Sequence, residues 1–172
     1  MSVVVRARAT RLVSDHRGMT LAEVLVALPI IVIGLLALLA AIPLSTFATQ
    51  DGKQTSTATF LANQRLEQVR NAQWSAIPAV DQLGISASAG VAPQTGGTIT
   101  FADESPVAAP YAAFQRRVRI TDCGAGGGCA GVTSSAMRLV TVTVTYAPLS
   151  PTGKDAIPAS RSVVVTMLIA QR

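Results

Sequence analysis

Residues 18–44 read GMTLAEVLVALPIIVIGLLALLAAIPL, and this stretch decides the fold of the chain. Residues 24–44 are almost wholly apolar, and no charged side chain occurs from residue 24 to residue 50. A helix rises about 1.5 Å per residue, so the 21 residues from 24 to 44 span about 30 Å, which matches the hydrocarbon core of a bilayer. The sequence therefore predicts one membrane-spanning helix close to the N-terminus.

The residues that precede the apolar segment are basic. They carry Arg6, Arg8, Arg11 and Arg17 against a single acidic residue, Asp15. By the positive-inside rule, this excess keeps the N-terminus in the cytoplasm and directs the C-terminal domain out of it, to the periplasm or the cell surface. A plain signal anchor or signal peptide has the same features and stays open as an alternative.

Most of the net charge belongs to this basic leader. The whole chain has a formal charge of +5, whereas the part from residue 19 onward has 10 basic and 8 acidic residues, a balance of +2. The total length of 172 residues leaves room for one small domain of roughly 100 residues outside the membrane. The basic composition therefore does not indicate nucleic-acid binding by that domain.

Residues 51–74 become polar without losing helical periodicity. Apolar residues recur at spacings of three and four, at Ala58, Leu61, Ala62, Leu66, Val69 and Ala72. We expect one continuous helix, with a membrane-spanning and assembly part at residues 19–50 and an amphipathic part at residues 51–74. Pro43 and Gly52 are weak points within it, and Pro78 is expected to stop it.

The remainder, residues 75–172, predicts a globular β-domain. Residues 75–98 are rich in Ala, Gly, Ser and Pro and predict a long loop. Strand patterns follow at residues 98–102, 114–121, 137–146 and 161–170. Alternation of valine with threonine implies a sheet with one buried face, and the amphipathic helix is the best cover for it. The expected fold class is α+β, with the second half of a long N-terminal helix packed on a small antiparallel sheet.

One carboxylate, Glu23, stands at the head of the apolar segment. A charge in hydrocarbon is costly, so an ionisable residue at this place is a candidate functional residue. The alternative is a side chain at the membrane interface that contacts lipid headgroups. The residues around Glu23 decide between these readings.

Residues 18–25, GMTLAEVL, resemble the class III signal of type IV prepilins and type II secretion pseudopilins. That signal consists of Gly, Phe or Met, Thr, Leu, an apolar residue, Glu, Val and Leu. The matching residues are Gly18, Thr20, Leu21, Glu23, Val24 and Leu25, with Met19 as an accepted variant at the first mature position. The resemblance is strong over the first 50 residues or so and weak beyond them, where residues 61–70 and the last strand are similar to the PilV-like group of minor pilins and to minor pseudopilins.

The resemblance implies a maturation and assembly route. Prepilin peptidase would remove the leader, residues 1–18, after Gly18, and the new N-terminal amine of Met19 would be methylated. Glu23 of an incoming subunit would then meet the N-terminal amine of a neighbour already in the filament, with Thr20 and Leu21 in the same assembly segment. Opposite charges attract strongly in a medium of low dielectric constant, so this pair would set the register of assembly.

The function implied is structural and non-enzymatic, that of a type IV pilus subunit, most similar to a minor pilin. The implied partners are other pilin or pseudopilin subunits, the prepilin peptidase and N-methyltransferase, the inner-membrane assembly platform, and the membrane. A minor pseudopilin of a type II secretion system shares every feature used here. A signal-anchored extracytoplasmic binding module that never polymerises is the alternative from another class. The chain departs from the usual pilin pattern in two ways: its leader is long, at 18 residues, and it has prolines at both Pro29 and Pro43. These departures leave open where the helix bends.

Cys123 and Cys129 are the two cysteines of the chain and flank a glycine-rich loop. Their even number, short spacing and oxidising compartment favour a disulfide over a metal site, which would need further Cys or His ligands. His16, the only histidine, lies in the leader, so we expect neither a zinc site nor Ser-His chemistry. No cofactor or metal is expected.

Arg116, Arg117 and Arg119 are candidates for contact with DNA phosphates. Strand alternation places Arg117 and Arg119 on the solvent face, where charges ordinarily keep a sheet edge soluble, so nucleic acid is not an expected partner. Asp103 and Glu104 are adjacent carboxylates in a predicted turn, and no nucleophile is paired with a base. Enzymatic activity is therefore not expected.

Overall fold

The computed structural model describes residues 20–77, 79–124, 129–148 and 160–171. Gly18 and Met19, which carry the expected cleavage site, and Pro78, the expected helix stop, lie outside these residues. The chain divides into two compact units, Met1–Leu44 and Ser45–Arg172.

One helix, α1, runs from Leu21 to Asn71. It continues through Pro29, Pro43 and Gly52, so the expected weak points do not interrupt it. Threonines beyond the apolar part satisfy their hydroxyl groups within the helix, because each donates to the carbonyl oxygen four residues earlier. These threonines are Thr49, Thr55, Thr57 and Thr59. The prediction of a single continuous helix is confirmed.

Among the described residues, five strands follow the helix: β1 (Gln94–Thr95), β2 (Thr98–Ile99), β3 (Phe114–Asp122), β4 (Met137–Tyr146) and β5 (Arg161–Ala170). β3, β4 and β5 form an antiparallel sheet in that order. β4 and β5 have the predicted bounds, because the alternation of valine with threonine in β4 and the run of β-branched residues in β5 are strong local signals. The predicted strand at residues 98–102 shortens to β2, which pairs with β1 inside the region predicted to be a loop.

The β1–β2 hairpin turns on Gly96 and Gly97, which have φ angles of +55° and +82°. A two-residue turn with positive φ at both positions matches the right-handed twist of the flanking strands, and glycine adopts it without strain. The pair of glycines is a turn signal that the sequence contained and that the loop prediction overlooked.

The hydrophobic core of the second unit lies between the amphipathic part of α1 and one face of the sheet. The fully buried helix residues are Ala58, Leu61, Ala62 and Val69, and the fully buried strand residues are Val118, Ile120, Val140, Val142 and Val144. Helical and strand periodicities thus bring two apolar faces together, as expected for an α+β fold. The threonines that alternate with the valines of β4 lie on the other face and are half-buried.

Asp81 and Arg138 form a buried ion pair that anchors the loop after α1. Their Oδ2 and Nη1 atoms are 3.0 Å apart, and both residues are less than 10% exposed, at 7% and 8%. Asp81 also accepts hydrogen bonds from the backbone N–H groups of Leu83 and Gly84, both at 3.2 Å. Arg138 lies over the ring of Trp74, with its Cζ atom 4.5 Å from the ring centroid. The pair therefore ties the loop to the central strand.

Candidate functional site

The N-terminal turn of α1 is capped by Thr20. Its hydroxyl oxygen accepts a hydrogen bond from the backbone N–H of Glu23 at 3.3 Å, and its carbonyl oxygen accepts from Glu23 and Val24 at 3.0 and 3.2 Å. A Thr followed three residues later by Glu is a known helix-start signature, because the hydroxyl satisfies an otherwise unpaired backbone N–H. Thr20 therefore has a structural role that the sequence reading did not assign, although its Thr-x-x-Glu spacing could have indicated it.

Glu23 lies in the first turn of α1 with an exposed side chain. The N-terminus of a helix carries partial positive charge, so a carboxylate is stabilised in this turn. None of the ion pairs within the described part of the chain involves Glu23. Its charge is therefore available to a group that the described residues do not supply.

The residues after Glu23 present an apolar surface without cover from the rest of the described chain. Leu25, Ile33 and Leu39 are 62%, 67% and 63% exposed, and other large side chains of this part of the helix are similar. By length and composition, α1 can cross a membrane, although helices of this kind also occur as signal sequences. This surface is suited to lipid tails or to the apolar faces of other helices.

Cys123 and Cys129 are joined in a disulfide, as expected from their spacing. Their Cα atoms are 5.0 Å apart, and both residues are buried. Most of the glycine-rich loop between them, residues 125–128, lies outside the described residues. The disulfide cross-links the connection between β3 and β4 at the end of the sheet.

The three arginines considered for DNA binding do not form one exposed cluster. Arg116 is 6% exposed and bonds Glu104 at 2.7 Å and the carbonyl oxygen of Leu61 at 3.0 Å. It therefore joins the loop between β2 and β3 to α1. Arg119 pairs with Asp103 at 2.7 Å, which leaves Arg117 as the exposed member of the three.

The adjacent carboxylates Asp103 and Glu104 both hold the loop between β2 and β3 in place. Hydrogen bonds from Arg119 hold the pKa of Asp103 below its ordinary value. Glu104 pairs with Arg116 and with Arg65 on α1, each at 2.7 Å. Within the described residues, no group of three or more His, Cys, Asp and Glu side chains is arranged to hold a metal ion. These charges therefore cross-link the fold, a role that sequence reasoning missed when it assigned the two carboxylates to a turn.

No family model matches the chain, and neither a curated protein nor a solved structure is similar enough to count as a match. The candidate site consists of a capped helix start, the carboxylate of Glu23, and a long exposed apolar surface behind it.

Proposed function

We propose that the chain is a structural subunit of a type IV pilus, most similar to a minor pilin, matured by prepilin peptidase and polymerised through the apolar part of α1. The observation that carries the proposal is the sequence GMTLAEVL at residues 18–25, in which Glu23 stands at the start of an otherwise uncharged membrane-length segment. A signal anchor has no need of this carboxylate, and a charge placed in hydrocarbon without function is costly.

The exposed apolar part of α1 supports two successive environments for the subunit. In the membrane, lipid tails cover this surface while the second unit lies outside the cytoplasm. In a filament, the same surface packs against equivalent helices of neighbouring subunits. The uninterrupted helix from Leu21 to Asn71 carries both this surface and the face that packs on the sheet.

Glu23 supplies the assembly cue in this proposal. Its carboxylate would pair with the N-terminal amine of Met19 in a neighbouring subunit, and the low dielectric constant of the filament interior would strengthen the attraction. An unpaired carboxylate buried among helices is penalised, so a subunit in the wrong register is rejected. Thr20 keeps the helix start ordered beside this charge.

Mass analysis of the mature N-terminus tests the proposal most directly. The full-length gene product is expressed with its native machinery, and the N-terminal peptide of the membrane-bound form is measured. We expect a chain that begins at Met19 and carries a methyl group on its amine. A chain that keeps residues 1–18, or that is cut after another residue, would instead favour a signal-anchored or secreted module that never polymerises.

Shearing experiments then distinguish pilus from secretion pseudopilus. A minor pilin is expected in filaments sheared from the cell surface. A minor pseudopilin is expected to remain in the envelope, and its deletion would impair protein secretion. The processed N-terminus is common to both, so this second experiment is needed to choose between them.

A further inference from the structure

The guanidinium group of Arg138 has donors that the described residues do not use. The side chain is 9% exposed, and Nη1 donates to Oδ2 of Asp81 at 3.0 Å. Nε is buried without a hydrogen-bond partner, and none of the hydrogen bonds within the described residues uses Nη2. Because the Nε–H and one N–H of Nη2 point in the same direction, these two donors form an unpaired edge of the planar group.

Burial makes this edge of Arg138 unusual. A buried donor without a partner is costly, because it has lost its hydration and gained no hydrogen bond in return. Asp51 and Arg65 each have one such buried atom too, but their side chains are 30% and 15% exposed, so solvent lies close to them. Arg138 is the most deeply buried of the three. Its unpaired edge is therefore the strongest candidate for binding an acceptor from outside the chain.

Arg138 lines an open cavity of about 270 Å³. One wall is the loop after α1, with residues 75–76, 81 and 85, and the other is the β1–β2 hairpin, with residues 94–96. A second cavity, of about 390 Å³, shares Asp81 and part of the hairpin with the first, so the two lie side by side. The space beside Arg138 is therefore large enough for more than a water molecule, whose share of liquid volume is about 30 Å³.

The charges around the cavity favour an acceptor with one negative charge. Asp81 is the acidic neighbour of Arg138, but its carboxylate also accepts from the backbone N–H groups of Ser75, Leu83 and Gly84, at 3.2 to 3.4 Å. These donors share in stabilising the charge of Asp81, so a second anion beside Arg138 is less strongly repelled. Among the described residues that line the cavity, only Arg138 is basic, so a doubly charged anion such as phosphate would lack a second cation.

The geometry of the unpaired donors favours a carboxylate among such anions. Two parallel N–H groups of one arginine match the two oxygens of a carboxylate, and such a bidentate pair is stronger than a neutral hydrogen bond. Ala76 and Ile85 give the cavity apolar walls, which suit a short apolar body behind the carboxylate. Donor geometry, charge and lining thus agree on one chemical class of ligand.

We propose that Arg138 binds a carboxylate in this cavity through its Nε and Nη2 donors. Nη1 keeps its bond to Asp81, and the face of the guanidinium group stays over Trp74, with Cζ 4.5 Å from the ring centroid. Both contacts hold the donor edge in place before the ligand arrives, so binding costs little side-chain entropy. The site goes beyond the proposed function and does not depend on it, because it involves neither Glu23 nor cleavage.

Two sources can supply the carboxylate: a free small acid, or an acidic side chain of another protein. Both present the same two oxygens, and they differ in what is attached behind them. Butyrate is the probe for the free acid. Glutamate with an acetylated amine and an amidated α-carboxyl group is the probe for the side chain, because only its side-chain carboxylate remains. Tighter binding of one probe identifies the source.

Fluorescence of Trp74 in the full-length protein in detergent tests the proposal. Trp74 is the single tryptophan of the chain and lies against Arg138, so a ligand bound to Arg138 should change its emission. Each probe is titrated at constant ionic strength, with chloride as the balancing anion, to separate binding from screening. We expect a saturable change with at least one probe. The matching amides, butyramide and the glutamine derivative, keep the shape without the charge and should bind at least roughly tenfold more weakly.

Three variants locate the site. Arg138→Lys keeps a positive charge beside Asp81 but has no planar donor edge, so binding should weaken at least roughly tenfold. Ala76→Phe narrows the cavity from an exposed loop position, leaves the ion pair unchanged, and should weaken binding by a similar factor. Arg117→Lys changes an exposed arginine outside the cavity and should leave binding unchanged. Denaturant unfolding checks that each variant is folded, and Ala76→Phe decides the question if Arg138→Lys is not.

Four results would overturn the proposal. The first is the absence of a saturable change in Trp74 emission with either probe. The second is equal binding of a probe and its amide, which would mean that the charge is not recognised. The third is wild-type affinity in the folded Arg138→Lys or Ala76→Phe protein, which would place any binding elsewhere. The fourth is tighter binding of inorganic phosphate than of either probe, which would refute the choice of a carboxylate.

Discussion

The hydroxyl oxygen of Thr20 accepts a hydrogen bond from the backbone N–H of Glu23 at 3.3 Å, so the cap of α1 and the carboxylate proposed for assembly lie in one turn. The bond uses the backbone of Glu23 and leaves its carboxylate uninvolved. Helix capping and charge pairing can therefore be separated by substitution.

Glu23→Gln should abolish assembly while sparing folding. The change keeps the size of the side chain and the backbone donor to Thr20, but it removes the charge that would meet a neighbouring amine. We expect the amount of tagged subunit in sheared filaments to fall at least tenfold. A tenfold loss corresponds to about 1.4 kcal/mol of binding free energy. Thr20→Val is the control, since it removes the cap at a cost of about 1 kcal/mol and keeps the charge. Equal loss from both variants would mean that Glu23 acts through the helix start.

Gly18→Val should leave a full-length precursor in the membrane. A branched side chain hinders the extended backbone that an intramembrane protease must accept, whereas glycine does not. Gly34→Val is a matched control within the apolar segment, because a Cβ atom there meets nothing within 4 Å. Immunoblotting distinguishes the two chain lengths. Normal maturation of the Gly18→Val protein would refute the cleavage assignment.

Replacing Cys123 and Cys129 together with serine should destabilise the protein modestly. The disulfide closes a short loop, with a sequence separation of 6 residues. In the loop-entropy description, such a loop contributes roughly 2 to 3 kcal/mol, so the double variant should still fold. Denaturant unfolding of the full-length protein in detergent, followed by the fluorescence of Trp74, measures the change. Titration of free thiols in unmodified, freshly extracted protein should find none.

Asp81→Ala should lower the free energy of unfolding far more than the loss of an exposed ion pair does. The substitution leaves Arg138 buried without its carboxylate, and removal of one member of a buried pair costs about 3 to 5 kcal/mol. Glu67→Ala is the control, because Glu67 and Arg70 form a pair whose side chains are 58% and 55% exposed. The free energy of unfolding of that variant should fall by about 1 kcal/mol at most. Similar unfolding midpoints for the two variants would contradict the role assigned to Asp81.

The Asp103–Arg119 pair should make stability depend on acid pH. Hydrogen bonds from Arg119 lower the pKa of Asp103 in the folded protein below the ordinary value of 3.8, so the unfolded chain binds more protons in this range. The stability contributed by the carboxylate is thus present above that value and is lost as the pH falls through the folded pKa. The difference in unfolding free energy between wild type and Asp103→Asn should therefore shrink from pH 7 to pH 3. Arg119→Gln should remove this pH dependence, and a difference that stays constant would contradict the linkage.

Local sequence patterns were sufficient to predict most of the fold of this chain. The apolar segment is continuous, and the spacing of Leu61, Leu66 and Val69 and the alternation in β4 each repeat within a few residues. Such periods determine which face of an element is apolar, and two apolar faces in one small domain must cover each other. The disulfide was predictable for a similar reason, because its cysteines are close in sequence.

The polar cross-links were decided by tertiary structure, because their partners are distant in sequence and follow no period. Asp81 and Arg138 are 57 residues apart, and Arg116 lies 52 residues from Gln64, to which it bonds at 3.1 Å. Strand alternation places Arg116 in phase with Val118 and Arg138 in phase with Val140, but a charged residue is rarely buried without a partner, and nothing local identified those partners.

For function, the sequence by itself determined the resemblance of residues 18–25 to the class III signal and the position of Glu23 ahead of an uncharged segment. Only the tertiary structure decided that the ion pairs of the described residues do not involve Glu23, and that Arg116 and Arg138 are buried in pairs with loop carboxylates. The physical reason is that a motif is read from consecutive residues, whereas the pairing of a charge is defined by what the rest of the chain places beside it.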